Sequence, residues 1–155
     1  MRFFVLAVVM VFSRPALADS IDAATGLQLT NIVTGVNGVT DLRFLPDGRL
    51  IFTEKSGAAK VRQDDGTLKV MRQFPVDTQS EKGLLGLEVD PQFTTTRRLF
   101  FYYSRTNANG GTDLNRHRVV SMALNTDDTL DEASEHVLVE NLRGPANHDG
   151  GALAI

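Results

Sequence analysis

The chain of 155 residues contains no cysteine, which excludes disulfides, thiolate nucleophiles and cysteine metal sites. An exported bacterial protein can do without disulfides, whereas a small secreted scaffold usually cannot. Positive charge is also scarce, since 16 Lys and Arg stand against 19 Asp and Glu, for a net charge of −3. Two of the arginines, Arg2 and Arg14, fall in the first 18 residues, so the rest is more acidic still. A mildly acidic body argues against a nucleic-acid partner, whose phosphates demand a basic face, and against an anionic membrane surface. Beyond residue 18 no apolar run is long enough to cross a bilayer as a helix. No segment sustains a helical period, and Gln79 to Leu85 could form a turn of helix at most. Gly-x-Ser-x-Gly, Walker, dinucleotide-fingerprint and His-Glu-x-x-His motifs are all missing.

What is present begins with a targeting pattern. Arg2 supplies a positive start, Phe3 to Phe12 is an unbroken apolar run, and Ala16-Leu17-Ala18 fits the small-x-small cleavage rule. The run is too short for a membrane-spanning helix. The expectation is a signal peptide over 1–18, cleavage after Ala18, and a mature region over 19–155 in the periplasm or secreted. No membrane insertion is expected after cleavage.

The mature region reads as strands and tight turns. Pro46-Asp47-Gly48 sits between Leu42, Phe44 and Leu50, Phe52, and Asp64-Asp65-Gly66 sits between Ala59–Val61 and Leu68–Val70. In such turns proline presets φ and glycine tolerates positive φ. Leu99 to Tyr103, Val119 to Leu124 and a short Val137 to Val139 are further strands, with an acidic turn over Asn125 to Asp131. The cluster Asp127, Asp128, Asp131 and Glu132 lacks the glycine and spacing of an EF-hand, so a solvated hairpin turn is expected. His117 and His136 each open a strand and read as surface residues.

An internal repeat organises these strands. Leu42-Arg43-Phe44-Leu45-Pro46 matches Leu87-Glu88-Val89-Asp90-Pro91, an offset of 45 residues, and each copy is followed by Arg-Leu and an apolar strand. Blades of about 40–50 residues, each a small antiparallel sheet, are the mark of β-propellers. The fold class expected is therefore all-β, a propeller with about two blades plus the first strand of a third at Leu153-Ala154-Ile155. Closing a propeller ring takes about 4–8 blades, so the chain is expected to be part of a longer one.

Two stretches could carry chemistry. Asn147-His148-Asp149-Gly150-Gly151 places an imidazole between polar side chains in a glycine-flanked loop. An imidazole titrates near pH 6.5 and can accept a proton at neutral pH, and Asp149 could orient it. Glu81-Lys82-Gly83-Leu84-Leu85-Gly86 opens the second repeat. Equivalent positions of neighbouring blades face one central region, so the two stretches are expected to converge. Spacing alone leaves open a structural loop histidine and a solvated Glu81–Lys82 pair.

The segments LRFLPDGRLIFTEKSG, EKGLLGLEVDPQF, RLFFYYS and GPANHDGGALAI, in that order, resemble the glucose/sorbosone dehydrogenase family, from about Gly35 to Ile155. The resemblance implies a six-bladed propeller with pyrroloquinoline quinone in a central cleft and calcium nearby. His148 matches the general base that takes the anomeric proton of an aldose sugar as hydride leaves for the quinone. The product would be a lactone, and an external electron acceptor would reoxidise the cofactor. Glu81, Lys82, Asn147 and Asp149 are the expected cofactor-side residues. Calcium ligands and the cofactor's basic partners would lie beyond residue 155, so the 155-residue chain itself is expected to be inactive. Quinone-binding members often carry glutamine where Glu81 stands, with Lys82 the expected partner of that carboxylate. Glu81 therefore also admits a non-catalytic propeller module that binds a glycan or a protein.

Overall fold

The computed structural model describes residues 20–22, 25, 27–106, 116–145 and 147–155. The expected signal segment over 1–18 lies outside them. The chain divides into two compact units, 1–34 and 35–155. Within the first, β1 (Ser20–Asp22) pairs antiparallel with β2 (Leu27–Leu29).

The second unit holds two four-stranded antiparallel meanders. The first runs β3 (Val39–Phe44), β4 (Leu50–Glu54), β5 (Ala58–Arg62), β6 (Leu68–Gln73). The second runs β7 (Leu84–Val89), β8 (Arg98–Ser104), β9 (Arg116–Leu124), β10 (Leu130–Arg143). A one-turn helix α1 (Phe93–Thr96) lies between β7 and β8 and tucks Phe93 into the core.

Three hairpins share one turn geometry. In Leu45–Arg49, Gln63–Thr67 and Asn125–Thr129 the end residues are joined by a backbone hydrogen bond, and the fourth residue donates back to the first. That fourth residue takes a left-handed conformation: Gly48 at φ +87°, Gly66 at +85° and Asp128 at +61°. The first two turns were legible from their glycines. The third uses an aspartate, one of the few side chains that tolerates this region.

One apolar cluster joins both meanders. Leu45, Ile51, Val61, Met71 and Phe74 of the first pack against Leu84, Leu87, Leu99, Phe101 and Tyr103 of the second, among others. Alternation along β8 sends Leu99, Phe101 and Tyr103 into this core and leaves Phe100 and Tyr102 on the opposite face. The seam between the sheets is also bonded. Thr40 Oγ1 donates to the Leu84 carbonyl at 2.6 Å, Leu87 N–H donates to Asp41 Oδ2 at 3.0 Å, and Arg43 Nε lies 3.2 Å from both Glu88 oxygens. Arg43 and Glu88 are the same position of the two repeats, 45 residues apart.

Three expectations need correction. The strand expected at Val137–Val139 is a 14-residue strand, β10. Its ladder shifts register between Asp131 and His136, between Val137 and Val139, and between Val139 and Leu142, and such bulges break the regular alternation of side chains. Leu153–Ile155 forms no ladder among the described residues. It lies instead beside Phe100, Val119, Leu138 and Val139 on the far face of the second sheet, around an apolar depression of about 300 Å³. The acidic turn is not simply solvated either. Asp128 is only 8% exposed, because Arg49 Nη1 (2.7 Å) and Gln63 Nε2 (3.1 Å) reach it from the first sheet.

Asp128 makes stability depend on acid. Burial alone would raise its carboxyl, but the hydrogen bonds from Arg49 and Gln63 and the Arg49 charge outweigh burial and hold it below the ordinary aspartate range. A depressed carboxyl contributes stability that is complete above its unfolded value, near pH 3.9 for an aspartate, and is lost as pH falls through the folded value. Asp128→Asn keeps the left-handed tolerance and removes the charge. Thermal midpoints measured from pH 7 to pH 2.5 are expected to fall less steeply below about pH 4 in the variant. Parallel curves would show that Asp128 takes no part in the acid limb.

Candidate functional site

The site is built where two loops meet: residues 79–83, which lead into β7, and residues 147–151. Glu81 Oε2 accepts a hydrogen bond from the His148 backbone N–H at 2.5 Å, and Ser80 Oγ donates to Asn147 Oδ1 at 2.8 Å. Ser80 (φ +54°) and His148 (φ +65°) are both left-handed although neither is glycine. Such conformations persist where the surroundings hold them, and here each loop holds the other.

Below this junction the backbones nearly touch. A Cβ placed on Gly86 would sit 1.9 Å from the Gly151 carbonyl oxygen, and one on Gly151 would sit 2.6 Å from the Leu85 carbonyl oxygen. Only glycine allows the 147–151 segment to lie this close to β7. Tyr102 Oη on β8 donates to the Asp149 carbonyl at 2.6 Å. Burial first, and then the nearby Asp149 charge, pushes the Tyr102 hydroxyl up to about 12, so it stays a donor at neutral pH.

Of the five residues expected from sequence, Glu81, Asn147 and His148 come together at the surface. Lys82 and Asp149 turn inward. Lys82 Nζ lies 3.0 Å from Asp77 Oδ2, with both side chains 1% exposed. The expected Glu81–Lys82 pair is thus replaced by a Lys82–Asp77 pair, because Asp77 is held under the loop by its own backbone N–H on the Ser104 carbonyl (3.1 Å). Asp149 is buried, and its Oδ1 lies 3.1 Å from His117 Nε2. It orients that histidine rather than the ring of His148.

His117 is therefore not the surface residue expected, since it is 1% exposed. Its Nδ1 lies 3.1 Å from Ser104 Oγ, which accepts from the Gly83 N–H at 3.1 Å. Chain residue 144 crosses directly over the ring: a Cβ on Gly144 would sit 1.8 Å from His117 Nε2. No alternation along β9 marks it: Arg118 pairs with Tyr103 on the core face, while His117 lies on the opposite face beside Tyr102, with ring centroids 5.1 Å apart, and is buried there by Gly144. His136, on β10, is exposed.

The arrangement offers an exposed imidazole on a loop fixed from both sides. Among the described residues, no three His, Asp or Glu side chains gather closely enough to hold a metal ion. No helix among them is long and apolar enough to cross a membrane.

Comparison with known proteins agrees with this architecture. An oxidoreductase of Thermus thermophilus described as a glucose dehydrogenase superposes with a TM-score of 0.60 at 29% identity, covering 77% of this chain and 33% of its own. The aldose sugar dehydrogenase of Streptomyces coelicolor, solved with pyrroloquinoline quinone bound, gives 0.66 at 19% identity, covering 88% and 38%. The soluble aldose sugar dehydrogenase of Escherichia coli gives 0.56 at 21% identity, covering 67% and 30%. The chain spans about a third of the length of these structures. Its two meanders are successive blades of a partial propeller. The family model described as Glucose / Sorbosone dehydrogenase matches residues 37–155. The chain belongs to the glucose/sorbosone dehydrogenase family.

Proposed function

We propose that this chain contributes the catalytic base and one wall of the cofactor site to an exported, pyrroloquinoline-quinone-dependent aldose dehydrogenase. The observation that carries the reading is the exposed His148 imidazole on a left-handed loop clasped by Glu81. The residues present fit the quinone at this wall. Asn147 and His148 are exposed donors and acceptors, and the Glu81 carboxylate, which would repel an anionic ligand, is engaged by the His148 N–H. Gly150 leaves open space, with nothing within 4 Å of a Cβ built on it. Asn147 and His148 would hold the cofactor's edge, with Glu81 behind them. Lys82 and Asp149 support the wall from beneath rather than touching the ligand.

The quinone, when bound, supplies the acceptor for the hydride that leaves the sugar's anomeric carbon. His148 takes the anomeric hydroxyl proton on its free ring nitrogen as that hydride departs, so no cation builds up and the sugar leaves as a lactone. The fixed loop keeps the ring oriented, which lowers the entropic part of the barrier. Among the described residues no three His, Asp or Glu side chains gather to hold calcium.

The test is dye reduction by aldoses with the chain extended to the length of its relatives and supplied with quinone and calcium. His148→Ala is expected to lower kcat about 10²- to 10⁴-fold, the usual worth of a general base. Quinone uptake, read from its absorbance, is expected to weaken far less than kcat falls, because Asn147 still holds the cofactor's edge. Unchanged turnover would remove His148 from the chemistry. A second reading, a binding module without redox chemistry, rests on Glu81, and a quinone titration without any spectral change would favour it.

A further inference from the structure

A buried hydrogen-bond chain connects the two loops of the site beneath their surface contact. It runs from the Gly83 N–H to Ser104 Oγ (3.1 Å), to His117 Nδ1 (3.1 Å), and from His117 Nε2 to Asp149 Oδ1 (3.1 Å). Ser104, His117 and Asp149 are all buried. A Ser-His-Asp set invites a hydrolytic reading, but here the serine hydroxyl is only 1% exposed and accepts a backbone N–H, so no substrate carbonyl can reach it.

Only the Asp149 end fixes a donor, since Ser104 Oγ can donate to or accept from His117 Nδ1 while accepting from Gly83. Gly83 can only donate, and an ionised Asp149 can only accept. His117 Nε2 must therefore carry hydrogen, whether the ring is neutral or protonated. Asp149 Oδ2 is buried with no hydrogen-bond partner among the described residues. The bond from His117 is thus what satisfies this carboxylate among the described residues, and removing it leaves both buried oxygens without a protein partner. Gly144 closes the site from above, because no side chain fits between residue 144 and the ring.

We propose that His117 is a positioning residue for His148. Through Asp149 it anchors the 147–151 segment against β8 and β9, while Glu81 holds the same segment at the surface. The proposal rests on His148 being the base, but the contact network behind it does not. Asp149 directly follows His148, so a shift of its side chain turns the His148 backbone and swings the imidazole. Sequence assigns that task to Asp149 acting on the neighbouring ring; the structure assigns it to a residue 32 positions away.

The 155-residue chain serves for the test, since every named contact lies within it. In wild type, imidazole ¹⁵N–¹H spectra are expected to show a slowly exchanging hydrogen on His117 Nε2. His117→Leu is expected to speed exchange of the His148 backbone amide about tenfold or more relative to β8 amides, the effect of one buried hydrogen bond on a local opening. His117→Gln, whose amide offers a donor and an acceptor at similar spacing, is expected to restore most of that protection. A rapidly exchanging or unprotonated Nε2 in wild type overturns the proposal, as does unchanged His148 exchange in the leucine variant. If the leucine variant does not fold, the wild-type Nε2 signal decides alone. Failure of the His148→Ala turnover test would remove the base while leaving these readouts intact, so the two ideas fail separately.

Discussion

Phe101→Ala is expected to lower the unfolding free energy by about 3–5 kcal/mol, the cost of emptying an aromatic site in a packed core. Phe101 is 0% exposed, and its ring centroid lies 4.9 Å from that of Phe74, at the end of the first sheet. Phe74 is also 5.3 Å from Tyr103, so this aromatic group joins the two blades. The flanking ladder partners, Leu87 and Val120, are 0% exposed as well and cannot relax into the gap without breaking strands. The loss should therefore appear in both sheets at once. Urea unfolding followed by amide exchange checks this: residues of β4 and β5 should lose protection together with those of β8 and β9. Phe100→Ala is the control. Its side chain lies on the opposite, partly exposed face of the same strand, so its cost should be smaller. A Phe101→Ala cost below about 1 kcal/mol, or a loss confined to one sheet, would show that the blades do not share a core.

Much of this architecture is written in local patterns. The Pro46-Asp47-Gly48 and Asp64-Asp65-Gly66 turns are legible because glycine marks positive φ. The apolar residues beside the first turn mislead, since Leu42 and Phe44 are 48% and 60% exposed and Ile51, between Leu50 and Phe52, is the one that enters the core. The 45-residue offset is also local information, and it correctly sets Arg43 opposite Glu88 across the seam. What escapes a sequence reading depends on partners far along the chain. Asp128 closes a turn identical to the glycine turns, yet it looks like one acid in a solvated cluster, because Arg49 is 79 residues away. The length of β10 escapes because its bulges interrupt the alternation. At the site, the repeat brings the loops of Glu81 and His148 to one end of the sheets. It says nothing of which way Lys82 and Asp149 point, since Asp77 and His117 decide that from other elements.

Lys82→Met is expected to cost about 3–5 kcal/mol, because it strands the buried Asp77 carboxylate without its cation. Both side chains are 1% exposed and their charged atoms lie 3.0 Å apart. Asp77 also shapes the loop: its Oδ1 accepts the Gln79 N–H at 2.9 Å, and its own N–H donates to the Ser104 carbonyl. Asp77 thus connects the turn that presents Glu81 with the strand that carries Ser104, so the damage should reach the site and loosen the Glu81–His148 clasp. Replacing both partners, Lys82→Met with Asp77→Leu, should cost much less than the single change, since apolar groups of similar volume leave no uncompensated charge. Denaturant unfolding of the two single variants and the double variant gives the coupling directly. A surface lysine that met the cofactor would behave in the opposite way: Lys82→Met would weaken quinone binding and leave stability within about 0.5 kcal/mol of wild type. That outcome would return Lys82 to the cofactor's side of the loop. A large loss rescued by the double change would fix it as the counter-charge that keeps the loop in place.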